Sequence, residues 1–219
     1  MAFHVKAVMF DLDGTLIHTA PEIAAAINHM LADLSLPALP SQQIEAYIGE
    51  GAQMLIKRSI AAHADDSAEM FEQAQALFFS HYAHTVQQSQ PYQGVWEGLT
   101  ALKQKGLRLA CVTNKPEKFT LPLLRASGLM PFFEIVVAGD TLAKKKPDPI
   151  QLLHICAEFN VLEAEAMLVG DSITDVKAAH AAGCYIVTVP YGYNQGKPID
   201  ESLVDATIDD LTELLDLLN

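Results

Sequence analysis

The sequence is poor in cysteine, in charge and in basic residues, and each shortage excludes something. Three cysteines, Cys111, Cys156 and Cys184, occur in 219 residues with no paired spacing. So sparse and odd a set makes no disulfide framework, and suggests a reducing compartment and small buried hydrophobes. Charged residues make up 19% of the chain, below the roughly 25% of an average globular protein, while 50% are hydrophobic. That balance excludes disorder. Only 14 residues are Lys or Arg against 27 Asp and Glu, a formal net charge of -13. Nucleic acid and anionic membrane surfaces are poor partners for such a chain. No run approaches the roughly 20 apolar residues of a membrane helix. The apolar run at residues 5–10 is broken by Lys6 and meets Asp11 at once, so it does not read as a signal peptide. A cytoplasmic protein is expected. There is no internal repeat and no Gly/Ser linker.

What is present is a pattern that changes along the chain. A short apolar strand at residues 5–10 opens it, followed by the acidic loop Asp11-Leu-Asp-Gly-Thr-Leu. Thr19-Ala-Pro-Glu22 reads as a capping box with proline in the first helical turn. Helices are expected at 22–34, 41–48, 52–63 and 67–88, with breaks at Pro37, Pro40, Gly49 and Gly51. Beyond Pro91 short apolar strands alternate with helices. Strands are expected at 107–112, 135–138, 167–169, 185–189 and 206–208, and a last helix at 211–218. Strands without alternating polarity imply a parallel sheet covered on both faces. The expected fold is therefore α/β, a Rossmann-like parallel core of residues 1–16 and 90–219. An all-helical domain at residues 17–89 is inserted after the first strand.

Ligands of such sheets bind beyond the carboxyl ends of the strands. The polar residues collect there. Asp11 and Asp13 follow strand one, Thr113 and Asn114 strand two, Lys146 strand three, Asp171 and Asp175 strand four. Two carboxylates about 5 Å apart repel by roughly 3 kcal/mol at an effective dielectric near 20. Six such pairs would cost on the order of 20 kcal/mol, more than the net stability of a typical fold. A hard divalent cation relieves this, and an all-oxygen set without His or Cys points to Mg²⁺. A metal in an anionic cage suggests phosphoryl transfer, and Lys146 with Thr113 and Asn114 suits the same anion. Asp11 is a candidate nucleophile on phosphorus. Asp13 is a candidate acid for the leaving oxygen and base for the attacking water.

Asp11-Leu-Asp-Gly-Thr-Leu, Val112-Thr-Asn114, Lys146-Pro147 and Gly170-Asp-Ser-Ile-Thr-Asp175 together resemble the four motifs of the haloacid dehalogenase superfamily, in order and across the whole chain. The resemblance implies a helical cap domain, Mg²⁺ and an aspartyl-phosphate intermediate on Asp11, with Asp13 as acid/base. It implies Thr113, Asn114 and Lys146 as phosphate ligands. Asp11, Asp171 and the main-chain carbonyl of Asp13 would hold the metal, with Asp175 in or behind that shell. Thr113-Asn-Lys-Pro116, Gly139-Asp-Thr-Leu142, Lys145-Lys-Pro147 and Tyr191-Gly-Tyr-Asn194 with Gly196 resemble the bacterial phosphoglycolate phosphatases. That subfamily implies hydrolysis of 2-phosphoglycolate, a small phosphorylated acid. Many relatives carry Asp-Ser where this chain has His18-Thr19, a departure that bears on the hinge to the cap.

Other readings remain open at this point. The chemistry also fits another small-molecule phosphatase, a pyrophosphatase or a phosphosugar mutase, and a phospho-Asp switch outside enzymology. A calcium loop is excluded because Leu16 stands where its sixth-position Gly is required. Asp175 alone could be a helix cap. Arg58, with Lys57 beside it, is the candidate for a substrate carboxylate. Lys144, His81 and His84 read as solvated residues. Phe71, Leu77, Phe78 and Tyr82 read as cap core.

Overall fold

Ala-Val-Met-Phe after Lys6 offers no polar face, so a strand made from it has to be covered on both sides. The computed structural model describes residues 3–63 and 67–219. In chain order the strands are β1 (Ala7–Phe10), β2 (Ile17–His18), β3 (Gln90–Pro91), β4 (Arg108–Val112), β5 (Ile135–Val137), β6 (Ala166–Gly170), β7 (Tyr185–Thr188) and β8 (Ala206–Thr207). The helices are α1 (Ala20–Asp33), α2 (Ser41–Glu45), α3 (Ala52–Ala61), α4 (Ala68–Thr85), α5 (Val95–Gln104), α6 (Glu117–Ala126), α7 (Ile150–Phe159) and α8 (Ile173–Ala182). No described helix is long and apolar enough to cross a membrane.

Six strands form one parallel sheet in the order β5-β4-β1-β6-β7-β8. β1 lies inside it, with Phe10 opposite Cys111 on one side and Val169 on the other. Val8 and Phe10 join the apolar cluster shared with α5, α6 and the helices α1 to α4. Ala7 and Met9 face the other way, among Leu152, Ile155, Cys156 and Phe159 of α7 and Val176 and Ala179 of α8. Each large side chain so covered contributes roughly 1.5–3 kcal/mol. The chain winds from β1 through β4 to β5, then returns to the far side of β1 for β6, β7 and β8. That reversal opens a crevice at the carboxyl ends of β1, β4 and β6. The expected Rossmann-like core and inserted helical cap are both present.

Three local readings change. Thr19 stands at the start of α1, but its side chain does not cap it. Its hydroxyl instead donates to Asp13 Oδ1 at 2.7 Å, and Glu22 accepts from the Ser89 hydroxyl at 2.6 Å. A carboxylate near at hand is a better acceptor for that hydroxyl than a local main-chain turn is a donor. The last helix is a 3-10 segment, Leu211–Leu217. Leu211 and Leu214, three residues apart, are its buried side chains. The expected helix at 67–88 ends at Thr85 and closes with a 3-10 turn, Val86–Gln88.

Sequence periodicity also could not show the ribbon where the chain leaves and re-enters the sheet. β2 and β3 pair antiparallel, Ile17 opposite Pro91 and His18 opposite Gln90. A residue far along the chain fastens it. Tyr193 Oη accepts from the Thr19 and Ala20 N–H groups at 2.9 and 3.0 Å. Tyr193→Phe leaves both buried donors unmatched. We expect it to lower unfolding stability by about 1–3 kcal/mol, read from the urea midpoint at unchanged m value.

Candidate active site

The four loops expected to carry the chemistry meet at one edge because their strands are parallel. Asp11 directly follows β1, Thr113 follows β4, and Asp171 follows β6. Lys146 comes from the long loop after β5. Its N–H donates to Gln151 Oε1 at 3.0 Å, and the Gln151 amide donates in turn to Ala138 O at 2.9 Å. So anchored, the Lys146 side chain is only 1% exposed, with Nζ 2.9 Å from Asp11 Oδ1 and 2.6 Å from Asp175 Oδ1.

Asp175 serves two partners. Its Oδ2 accepts from the Ser172 N–H at 3.1 Å and the Ser172 hydroxyl at 2.6 Å, the acid half of a capping box that starts α8. Asp175 thus both caps α8 and contacts the Lys146 ammonium beside Asp11. Asp171 is held by the Thr15 hydroxyl at 2.9 Å and the Tyr193 N–H at 2.7 Å. A Cβ on Gly14 would lie 2.5 Å from Asp171 Oδ2, and Gly14 has φ +87°. Only glycine gives both that turn and that approach.

Asp11, Asp171 and Asp175 are buried, and one oxygen of each lies within 4.8 Å of the others. Burial pushes the Asp11 carboxyl up to about 7, against the pull of Lys146 and with a push from Asp175 and Asp13. Burial, then Asp11 and Asp175, raises Asp171 well above the ordinary carboxylate range. Burial alone would depress Lys146, but Asp11 and Asp175 outweigh it and hold its ammonium charged. Three carboxylates against one ammonium leave negative charge uncompensated in a hard-oxygen cluster. That donor set fits Mg²⁺. Asp175 and Asp171 each accept hydrogen bonds on both oxygens, and of the two only Asp175 is in contact with the Lys146 ammonium.

Asp13 stands slightly apart. Its Oδ1 accepts from the Thr19 hydroxyl and from Lys115 Nζ at 2.8 Å. Lys115 Nζ also donates to Tyr82 Oη at 2.6 Å. Tyr82 comes from α4, so this contact joins the cap to the sheet. Burial first, then Asp13, pushes the Tyr82 phenol up, and it stays a neutral hydroxyl. Asp11, Asp13, Thr113 and Lys115 line one cavity with Ile23, Ile48, Leu55, Phe78 and Phe119, leaving about 40 Å³ for solvent.

Two sequence expectations change here. The Asn114 amide donates to Gly49 O at 3.0 Å and Lys146 O at 2.9 Å, so its donors tie the cap loop to the sheet and are not aimed at an anion. Its Oδ1 is buried without a partner. Arg58 does not line the cavity that holds Asp11 and Asp13. Its guanidinium is captured by Glu50, and with Lys57 and Phe71 it lines a separate cavity. The sequence reading assigned no role to Lys115, although it follows Thr113-Asn114 directly. Tyr82 was hidden by its helical spacing, which is also that of a core residue.

A model of the haloacid dehalogenase-like hydrolase family matches residues 8–189. The chain is 48% identical over 212 residues to a phosphoglycolate phosphatase of Thiobacillus denitrificans, covering 95% of this chain and 93% of that one. A phosphoglycolate phosphatase of Nitrosospira multiformis is also 48% identical, over 217 residues, covering 98% of this chain and 96% of that protein. The crystal structure of a predicted phosphoglycolate phosphatase from Haemophilus somnus superposes with a TM-score of 0.93, at 35% identity and 98% coverage of both chains.

The raised carboxyls make stability depend on pH and on a cation. A folded Asp11 near 7, above its ordinary 3.8, contributes stability that is lost as pH rises through about 7. In chelator, the thermal midpoint of Asp11→Asn should therefore exceed that of wild type by a margin that widens between pH 5 and pH 8. Mg²⁺ should raise the wild-type midpoint more at pH 8 than at pH 5. A margin that does not change with pH would show Asp11 to be unshifted.

Proposed function

The chain belongs to the haloacid dehalogenase-like hydrolases, and from that premise we propose that it hydrolyses 2-phosphoglycolate to glycolate and phosphate through an aspartyl-phosphate on Asp11. As an enzyme it is a phosphoglycolate phosphatase-like phosphomonoester hydrolase. The observation that supports the substrate and the chemistry best is the juxtaposition of Asp11 and Asp13 in one largely apolar cavity roofed by the helical cap. We place that cap at residues 17–89 and the catalytic core at 1–16 and 90–219.

In this reading the phosphoryl oxygens rest against Lys146 Nζ and the Thr113 hydroxyl. An Asp11 oxygen attacks phosphorus as the bond to the ester oxygen breaks. Asp13 gives its proton to that oxygen, and glycolate leaves. Asp13 then takes a proton from a water as that water attacks the phosphorus of the acyl phosphate. The Asp11–phosphorus bond breaks, which returns the Asp11 carboxylate and releases phosphate. Lys146 stays hydrogen-bonded to Asp11 and Asp175 and keeps the attacking oxygen aimed. Asp11, Asp171 and the main-chain carbonyl of Asp13 would hold Mg²⁺, which when bound neutralises charge on the phosphoryl oxygens. The apolar walls from Ile23, Leu55, Phe78 and Phe119 keep bulk water from the acyl phosphate.

Phosphate release is the measurement, from 2-phosphoglycolate, 3-phosphoglycerate, glucose phosphates and pyrophosphate, with Mg²⁺ and with chelator. A Mg²⁺-dependent preference for 2-phosphoglycolate is expected. A flat profile would overturn the substrate, and phosphoryl transfer to a sugar without release would make the enzyme a mutase. Asp11→Asn should lower kcat by at least about 10³-fold, because the amide is no nucleophile toward phosphorus. Near-normal turnover would remove Asp11 from that role.

A further inference from the structure

Lys115 is the one cation among the described residues that line the cavity of Asp11 and Asp13. Its side chain is 4% exposed, and its charge faces the cavity from a fixed main chain. The Lys115 N–H donates to the Thr113 hydroxyl oxygen at 3.2 Å. The Lys115 carbonyl accepts from the Gly139 N–H at 2.8 Å and the Thr120 hydroxyl at 3.2 Å. From that base Nζ reaches Asp13 Oδ1 and Tyr82 Oη, with the Tyr82 ring centroid 4.7 Å away.

Lys146 already serves Asp11 and Asp175. A second buried ammonium beside Asp13 is more charge than the phosphoryl group's seat requires. Its position relative to the ester oxygen is informative. In 2-phosphoglycolate the carboxylate carbon lies two bonds beyond the oxygen that Asp13 protonates. A carboxylate so placed is brought next to the group that touches Asp13. An ammonium carries three donors, and the protein uses two of them here. Tyr82 supplies a neutral hydroxyl on the far side of the same ammonium, from the cap. Apart from Thr113, placed against the phosphoryl group, and Asn114, whose amide donors are engaged by Gly49 and Lys146, the remaining side chains of the wall are acidic or apolar, so Lys115 is the one cation there to pair a carboxylate.

We propose that Lys115 Nζ and Tyr82 Oη form the subsite that binds the substrate's carboxylate, with the Asp13 carboxylate holding its place until substrate arrives; released from the ammonium, Asp13 takes from water the proton it then gives to the ester oxygen. This rests on the reading of the substrate as a small phosphorylated acid. It gives the cap a part in specificity, since Tyr82 completes the subsite only when α4 lies over the sheet. It also replaces Arg58 in that task, because Arg58 is engaged with Glu50 beside another cavity.

The test compares 2-phosphoglycolate with ethyl phosphate, an ester of similar size without the carboxylate, in the Mg²⁺-loaded enzyme. Lys115 touches Asp13, so Lys115→Met should slow both substrates. The ratio of their kcat/KM values should nevertheless fall by about 30-fold, carried by KM for 2-phosphoglycolate, as a lost charge-assisted contact predicts. Lys115→Arg should restore most of the ratio. An unchanged ratio would overturn the subsite and leave Lys115 as a positioning residue for Asp13. Glycolate supplies a readout that does not depend on the natural substrate. Its inhibition of ethyl phosphate hydrolysis should weaken by about 30-fold in Lys115→Met, and unchanged inhibition would overturn the proposal. Should Lys115→Met fail to fold, Tyr82→Phe removes only a hydroxyl, and glycolate inhibition should weaken by about threefold to tenfold. Unaltered inhibition there would overturn the subsite. Wild-type enzyme that turns over both esters equally well while glycolate inhibition still depends on Lys115 would overturn the substrate reading alone.

Discussion

Three buried carboxylates crowded together, two of them in contact with one ammonium, set the terms for the rest of the molecule. Asp11, Asp171 and Asp175 repel one another where solvent cannot screen them. Lys146 offsets part of that repulsion by contacting Asp11 and Asp175 together. Removing the Lys146 ammonium would cost several kcal/mol, on the order of 3–5, because it would strand the buried carboxylates, whereas Lys146 keeps Asp175 when Asp11 is neutralised. The surroundings satisfy the remaining oxygens. Thr15 and the Tyr193 N–H take Asp171, and Ser172 takes Asp175. Even the glycine at position 14 answers this constraint, since any side chain there would collide with Asp171.

The same constraint explains how distant segments come to be joined. Tyr193 meets the charge cluster through its main chain and the cap junction through its side chain, where Oη accepts from Thr19 and Ala20. Tyr191 Oη donates to Thr15 O at 3.0 Å, and the Asn194 side chain accepts from the Ile173 N–H at 2.8 Å. The segment from Tyr191 to Asn194 therefore braces the loops after β1 and β6 against each other. Gly51, with φ +89°, brings the cap loop so near the sheet that a Cβ there would lie 2.5 Å from Lys145 Nζ. The resulting cavity between the cap loop and the sheet leaves about 40 Å³ for solvent. Across that gap the cap and the sheet are joined by the contacts Lys115–Tyr82 and Asn114–Gly49.

The sheet and its acids were legible because both leave local signals. Apolar runs such as Ala7–Phe10 and Ala166–Gly170 mark buried strands, and an acid directly after one has to stand at the carboxyl edge. Lys146 was legible for the same reason, by its place in the loop after a strand. What escaped the sequence depends on contacts between residues far apart in the chain. Thr19 looked like a helix cap until Asp13 took its hydroxyl. Arg58 looked free until Glu50 was found beside it. The β2–β3 ribbon has too few residues to show a period, and its partners are separated by the entire cap. Tyr82 has the spacing of a packed residue and is one, yet its hydroxyl emerges from the packed face into the cavity.

The two lysines of the site differ in a way that suits them to different tasks. Lys146 has two carboxylate partners, both reached from the sheet side, and its side chain is 1% exposed. Its side-chain contacts are with Asp11 and Asp175, after β1 and at the start of α8, and include none with the cap helices. Lys115 has one carboxylate partner and one neutral hydroxyl, and the hydroxyl comes from α4 of the cap. A buried ion pair gains little net stability over its desolvation penalty. Exchanging one carboxylate for another at Lys115 therefore lies close to balance. A charge with a single acidic partner can be handed from Asp13 to a ligand at small free-energy cost, whereas one locked between two acids cannot.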